Sequence, residues 1–140
     1  MTLTMFRAKL HRLRVTEADL YYEGSITIDE ELLKLSGILP YEKVQVVNVN
    51  NGARLETYTI PGAAGSRIVC MNGPAARLAA RGDEVIVITY AQMTPAEAER
   101  HRPRVVLVHE NNDPKEVIDL GRAPEAEELS ADVREAVLPA

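Results

Sequence analysis

At 140 residues the chain has room for one domain with a real hydrophobic core, and its formal net charge of −5 argues against a nucleic-acid partner. No apolar stretch approaches membrane-spanning length, and the N-terminal residues carry no signal-peptide pattern. Cys70 is the single cysteine, which excludes a disulfide framework within the chain and makes the cytoplasm the simpler setting.

A first strand is expected over residues 4–15. Lys9 and His11 alternate there with Phe6, Ala8 and Leu10, as on a half-buried strand, so the basic run Arg7, Lys9, Arg12, Arg14 is not read as a targeting or phosphate-binding segment. The alternation changes phase near Arg12, where the strand is expected to break. Residues 25–28 begin a second strand, after which Asp29 caps a short helix carrying Leu32, Leu33 and Leu35, and Gly37 stops it. Residues 43–49 and 53–60 flank Asn51-Gly52, the strongest hairpin signal in the chain. Residues 63–66 read as a loop and 68–71 as a strand. Asn72-Gly73-Pro74 then turns into a helix through Leu78, proline being acceptable in a first turn.

Gly82-Asp83 leads to a strand over 84–90, with Val85, Val87 and Thr89 on one face and Ile86 and Ile88 on the other. Thr94-Pro95-Ala96-Glu97 is a capping box opening one more short helix, and 104–109 is the last strand expected. A weak repeat runs through this order: a helix ending at Gly37 leads to Val44-Gln45-Val46, and another ending at Gly82 leads to Val85-Ile86-Val87. Beyond Gly121 the periodicity fades and Glu125, Glu127, Glu128, Asp132 and Glu135 dominate. The expected division is therefore a folded domain over 1–121 and a mobile acidic tail over 122–140.

The segment richest in chemistry is Asp19-Leu20-Tyr21-Tyr22-Glu23-Gly24-Ser25. Without a Cβ, Gly24 can take the positive-φ shapes that expose its carbonyl. The Ser25 hydroxyl can attack that carbonyl and move the acyl group from nitrogen to oxygen. Elimination from the serine side leaves a dehydroalanine that hydrolyses to an N-terminal pyruvoyl group. By itself Gly-Ser is a common turn dipeptide, and its surroundings decide the reading.

From Thr4 to Pro103 the chain carries, in order, Lys9-Leu10-His11-Arg12, Val15-Thr16, Ala18-Asp19-Leu20, Tyr22-Glu23-Gly24-Ser25, Gly37-Ile38-Leu39, Asn51-Gly52-Ala53-Arg54, Thr57-Tyr58, Gly65-Ser66, Asn72-Gly73, Gly82-Asp83 and Arg102-Pro103. This ordered set resembles the aspartate 1-decarboxylase family, pyruvoyl-dependent enzymes that make β-alanine for pantothenate. Three positions depart from the family pattern: Tyr21 stands where histidine is expected, Ala63-Ala64 where an acidic-basic pair is expected, and Pro74 where alanine is expected. Pro74 also removes a backbone donor beside the implied pocket.

The resemblance implies a mainly β fold, a double-psi β-barrel with short helices, assembled as a homotetramer with sites at subunit interfaces. It implies cleavage between Gly24 and Ser25, with Ser25 becoming the pyruvoyl group that forms a Schiff base with L-aspartate. That group is an electron sink for the carbanion left by CO₂, so neither pyridoxal phosphate nor a metal is expected. His101 and His109 lack partners at metal-ligand spacing. Lys9 and Arg54 are implied as clamps on an acidic amino acid, arginine as a planar fork and lysine as a point charge, although both also suit a solvated strand face. Tyr58 is implied as proton donor, since a phenol is protonated at neutral pH, and is otherwise an aromatic packing residue. Thr57 is implied to assist cleavage and to contact substrate. Asn72, Gly73, Pro74 and Ala75 are implied to present groups to the substrate, Tyr22 to line the cleavage site and His11 to support the pocket.

Arg54 and Tyr58 share parity on their strand, whereas Thr57 has the opposite parity. A bulge there, or a site shared between subunits, is therefore expected. Whether a maturation factor assists is left open. Two other readings stand beside this one: a barrel of the same fold that never cleaves and serves as a binding or assembly module, and a swapped-hairpin DNA-binding module, which the chain's acidity disfavours.

Overall fold

The computed structural model describes residues 1–121, so the acidic segment 122–140 lies outside the described residues. The protein is mainly β. Its strands are β1 (Leu3–Arg14), β2 (Glu17–Asp19), β3 (Ser25–Asp29), β4 (Lys43–Asn48), β5 (Arg54–Gly62), β6 (Val69–Asn72), β7 (Glu84–Met93), β8 (Arg104–Val108) and β9 (Pro114–Asp119). Two short helices, α1 (Glu30–Ser36) and α2 (Pro95–Arg100), and a 3₁₀ turn over Gly73–Arg77 join them. The strands pair in the order β2-β6-β3-β5-β4-β7-β1-β8-β9, with parallel ladders at β2–β6, β3–β5 and β1–β8.

Local chemistry accounts for many of the boundaries. Arg12 takes a left-handed conformation (φ 63°), and the β1–β7 register shifts between Leu10 and Leu13, which is the break expected near Arg12. Asp29 caps α1 by accepting from the Glu31 N–H, and Gly37 (φ 78°) closes the helix by donating to Leu33. The Thr94/Glu97 capping box is formed reciprocally at α2. On β7, Val85 and Val87 enter the main core with Leu10, Leu13, Ile26, Ile28 and Met71, while Ile86 and Ile88 cluster with Val47 on the other face. The two halves of the repeat meet where β4 and β7 pair antiparallel, with Val46 opposite Val87 and both fully buried.

Several expectations need correction. The segment after Asn72 is a 3₁₀ turn, not an α-helix; a left-handed Gly73 (φ 66°) and Pro74 at its start set a tighter path. β4 and β5 form the expected hairpin, with a connection over residues 49–53 in place of 50–52. Asn48 N–H donates to the Ala53 carbonyl, and Gly52 N–H returns to Asn48. The last expected strand ends at Val108 and is followed by another, β9, that polar and exposed Lys115 and Glu116 concealed. β2 was likewise not expected: its three residues are exposed and have no apolar alternation, and its pairing with β6 makes it a strand.

Candidate active site

Ser25 opens β3 and is fully buried, directly opposite Asn72 at the end of β6. The Ser25 hydroxyl donates to the Glu23 carbonyl at 3.0 Å and accepts from Asn72 Nδ2 at 2.9 Å. The same Nδ2 donates to Thr27 Oγ1 at 2.9 Å. Asn72 therefore turns its side chain to the serine that the sequence marked for attack. Sequence reasoning had assigned it to the substrate alone.

Gly24 does not take a positive φ; among the described glycines that conformation belongs to Gly37, Gly52, Gly65, Gly73 and Gly82. The steric need for glycine lies across the gap. A Cβ at Gly73 would sit 2.9 Å from Gly24 Cα, Gly24 N and the Tyr22 carbonyl, so only glycine lets the 3₁₀ turn pack on the Tyr22–Gly24 backbone. A Cβ at Gly24 would meet nothing closer than Pro74 Cδ, at 3.7 Å.

A cavity of about 370 Å³ opens beside Gly24 and is lined by Thr57, Tyr58, Pro74 and Ala75 among others. The β4–β5 register is unbroken through Thr57 and Tyr58, so the bulge expected there is absent. Both residues nevertheless line this cavity, and β3 pairs with β5 only from Thr59 onward. Up to Tyr58 that edge of β5 is open, and side chains of either parity border the space beside it. A neighbouring cavity of about 810 Å³ is lined by Tyr22, Tyr41, Thr57 and Tyr58. Tyr22 and Tyr41 are exposed there, as is Leu39 close to Tyr41 in sequence.

The other expected residues lie apart from the cavity beside Gly24. Lys9 is buried on β1, its Nζ 5.2 Å from the centre of the Phe6 ring, and burial pushes its pKa below the usual lysine value. His11, also buried on β1, lines a separate cavity of about 350 Å³ with Arg12, Arg14, Glu84 and Lys115. Arg54 is exposed at the start of β5. None of the three lines the cavity beside Gly24. Among the described residues, no three His, Cys, Asp or Glu side chains converge as a metal site.

The Aspartate decarboxylase family model matches residues 1–115. The aspartate 1-decarboxylase of Salinibacter ruber is 72% identical over 139 residues, covering 99% of this chain and 95% of that protein. Those of Chloroherpeton thalassium (58% over 128 residues, 91% and 94% covered) and Carboxydothermus hydrogenoformans (65% over 112 residues, 80% and 88% covered) are also similar. Matches of this extent leave no room for a chance likeness: the chain belongs to the aspartate decarboxylase family.

Proposed function

We propose that the chain is the precursor of a pyruvoyl enzyme that cleaves itself between Gly24 and Ser25 and then decarboxylates L-aspartate. The reaction follows from family membership: aspartate is converted to β-alanine and CO₂, for pantothenate synthesis, through a pyruvoyl group. The observation that carries the cleavage point is the buried Ser25 hydroxyl, held between the Asn72 amide and the Glu23 carbonyl beside a Gly24 backbone that only a glycine at 73 can approach.

In the first step Ser25 Oγ forms a bond to the Gly24 carbonyl carbon, the Gly24–Ser25 C–N bond breaks, and the Oγ proton ends on the Ser25 nitrogen. Asn72 Nδ2 stabilises charge on Oγ as it attacks. In the second step the Ser25 Cα proton is removed, the Cβ–Oγ bond breaks and Gly24 leaves as a carboxylate. Water then replaces the nitrogen, which departs as ammonia, and a ketone remains. These residues fit such a group: Ser25 needs no outside donor, and Gly73 leaves the space its formation requires. Once formed, the ketone supplies the electron sink that loss of CO₂ from an α-amino acid needs.

The remaining roles belong to the chain's own side chains. Thr57 lines the cavity together with Gly24 and assists the first step; Tyr58, in the same cavity, delivers a proton to the substrate carbon that has lost CO₂. Pro74 and Ala75 line the cavity, Asn72 and Gly73 immediately precede them in the chain and serve the substrate from there, and Tyr22 lines the neighbouring cavity that shares Thr57 and Tyr58. Lys9 and Arg54 grip the carboxylates, with His11 supporting Lys9 from the same strand. Because Lys9 and Arg54 do not line the Gly24 cavity, each site is completed by another copy in a homotetramer, across the surface that exposes Tyr22 and Tyr41. The barrel is of the double-psi type, with β3–β5 and β1–β8 among its parallel pairs and the β4–β7 contact at its pseudo-twofold. The catalytic unit is residues 1–121, and the cytoplasm is its setting; among the described residues no helix is long and apolar enough to cross a membrane.

Intact mass spectrometry of the purified protein tests the reading. Two fragments, 1–24 and 25–140, are expected, the second about 17 Da lighter than a serine-headed peptide because amine and hydroxyl give way to a ketone. Ser25→Ala stays whole. Cleavage of that variant at the same bond overturns the acyl shift.

A further inference from the structure

The Asn72 amide is held at both ends, by Cys70 at its oxygen and by Ser25 and Thr27 at its nitrogen. Cys70 shares a face of β6 with Asn72, and its thiol donates to Asn72 Oδ1 at 3.1 Å. At the other end, Ser25 spends its hydroxyl proton on Glu23 and so requires a donor from Asn72, while Thr27 Oγ1 takes the second amide hydrogen. Every bond in this chain runs one way: Cys70 to Asn72, Asn72 to Ser25, Ser25 to Glu23. A flipped amide would face Cys70 with hydrogens and Ser25 with a lone pair, breaking the run at two points.

Resting on the self-cleavage reading above, we propose that Cys70 is a positioning residue for maturation: its thiol, donating to Asn72 Oδ1, fixes Asn72 with its amide nitrogen toward the Ser25 hydroxyl. Burial, and then the charges of Glu17 and Asp19, raise the thiol's pKa, so it remains a proton donor at neutral pH.

The test compares cleavage rates of freshly purified full-length precursors of the parent, Cys70→Ala, Cys70→Val and Cys70→Ser, followed by intact mass at the 24/25 bond. Serine keeps a short donor at the sulfur's position; alanine and valine do not. Cys70→Ser is expected to mature within a few-fold of the parent, and Cys70→Ala and Cys70→Val about tenfold more slowly, the factor one lost hydrogen bond carries. A packing role predicts the opposite order, because a buried apolar pocket tolerates alanine or valine better than a hydroxyl. Valine fills the space without a donor and stands in if the alanine variant does not fold. Cleavage of either apolar variant as fast as Cys70→Ser overturns the positioning role while leaving self-cleavage intact. A parent chain that never cleaves overturns the underlying reading instead.

Discussion

Gly73 is constrained twice, by a left-handed backbone and by the Tyr22–Gly24 chain lying against it. Gly73→Ala should lose about 1–3 kcal/mol from the dihedral alone. It should also slow maturation, because the 3₁₀ turn must move off the bond to be cleaved. Denaturant melts and the appearance of the 1–24 fragment report the two effects, and a variant that matches the parent in both removes the steric role. Tyr58 borders the same cavity but is proposed to act in a later step. Tyr58→Phe keeps the ring and should mature at nearly the parent rate. Borohydride added with aspartate should still join the substrate amine to the 25–140 fragment. β-Alanine release should fall roughly 10²–10⁴-fold, the usual loss for a missing general acid; release at the parent rate would make Tyr58 a packing residue. Arg54→Lys keeps a charge but loses the planar fork, so aspartate should bind more weakly and turn over more slowly, which steady-state kinetics separates.

Among the elements, β3 and β6 form the pair that presents Ser25 to Asn72, and their far end is locked by a charge cluster. Asp29, with no side-chain exposure, accepts from the backbone N–H groups of Glu31, Gly65 and Arg67 and pairs with the Arg67 guanidinium at 3.1 Å. Arg67, itself left-handed (φ 60°), also reaches Glu31 at 3.3 Å and Asp113 at 2.8 Å, tying α1 and the approach to β9 to the same point. Burial alone would raise the Asp29 carboxyl pKa, but these N–H groups and the guanidinium outweigh it and hold the pKa below the usual value. The folded chain then binds fewer protons than the unfolded one. The resulting stability is complete above the unfolded pKa of about 3.9 and is lost as pH falls through the lower folded value. Asp29→Ala should cost about 2–4 kcal/mol near neutrality, towards the low end for a broken buried pair because Arg67 keeps Glu31 and Asp113. Urea melts should show that deficit shrinking below about pH 4, where the parent loses the same contribution. A deficit that does not change with pH would mean that packing, not the carboxylate, holds this corner.

At the scale of the whole molecule, one chain separates the residues implied for a single reaction. Tyr58 and Thr57 line the Gly24 cavity, while Lys9 and Arg54 do not. The exposed tyrosines beside that cavity mark the face where a second copy is proposed to supply them. Subunit mixing distinguishes the arrangements. If Lys9 and Tyr58 of one site come from different copies, mixing inactive Lys9→Ala with inactive Tyr58→Phe subunits by co-expression rebuilds sites with both residues intact. Such a mixture should recover about a quarter of parent activity. If both residues serve a site from one chain, no mixture regains activity.

Much of the local structure was legible in the amino-acid sequence because its causes are local. A phase change at Arg12, an aspartate before a leucine-rich turn, a glycine after it and the Thr94/Glu97 pair each act within a few residues. The order of family motifs likewise named Gly24, Ser25, Asn72 and Tyr58 without any coordinates. The approach of Asn72 to Ser25, 47 positions apart, was not legible. It depends on β3 and β6 pairing in one register, and a slip of one residue would turn each side chain to the opposite face. β2 and β9 escaped notice for a related reason: their residues are polar or exposed, and pairing with neighbours, not apolar periodicity, makes them strands. By itself the sequence determined the chemistry available to this protein, because reactive groups are properties of residues. Tertiary structure decided which groups meet, as with the Cys70 thiol at the Asn72 amide, because hydrogen bonds act over about 3 Å and only strand pairing brings distant residues that close.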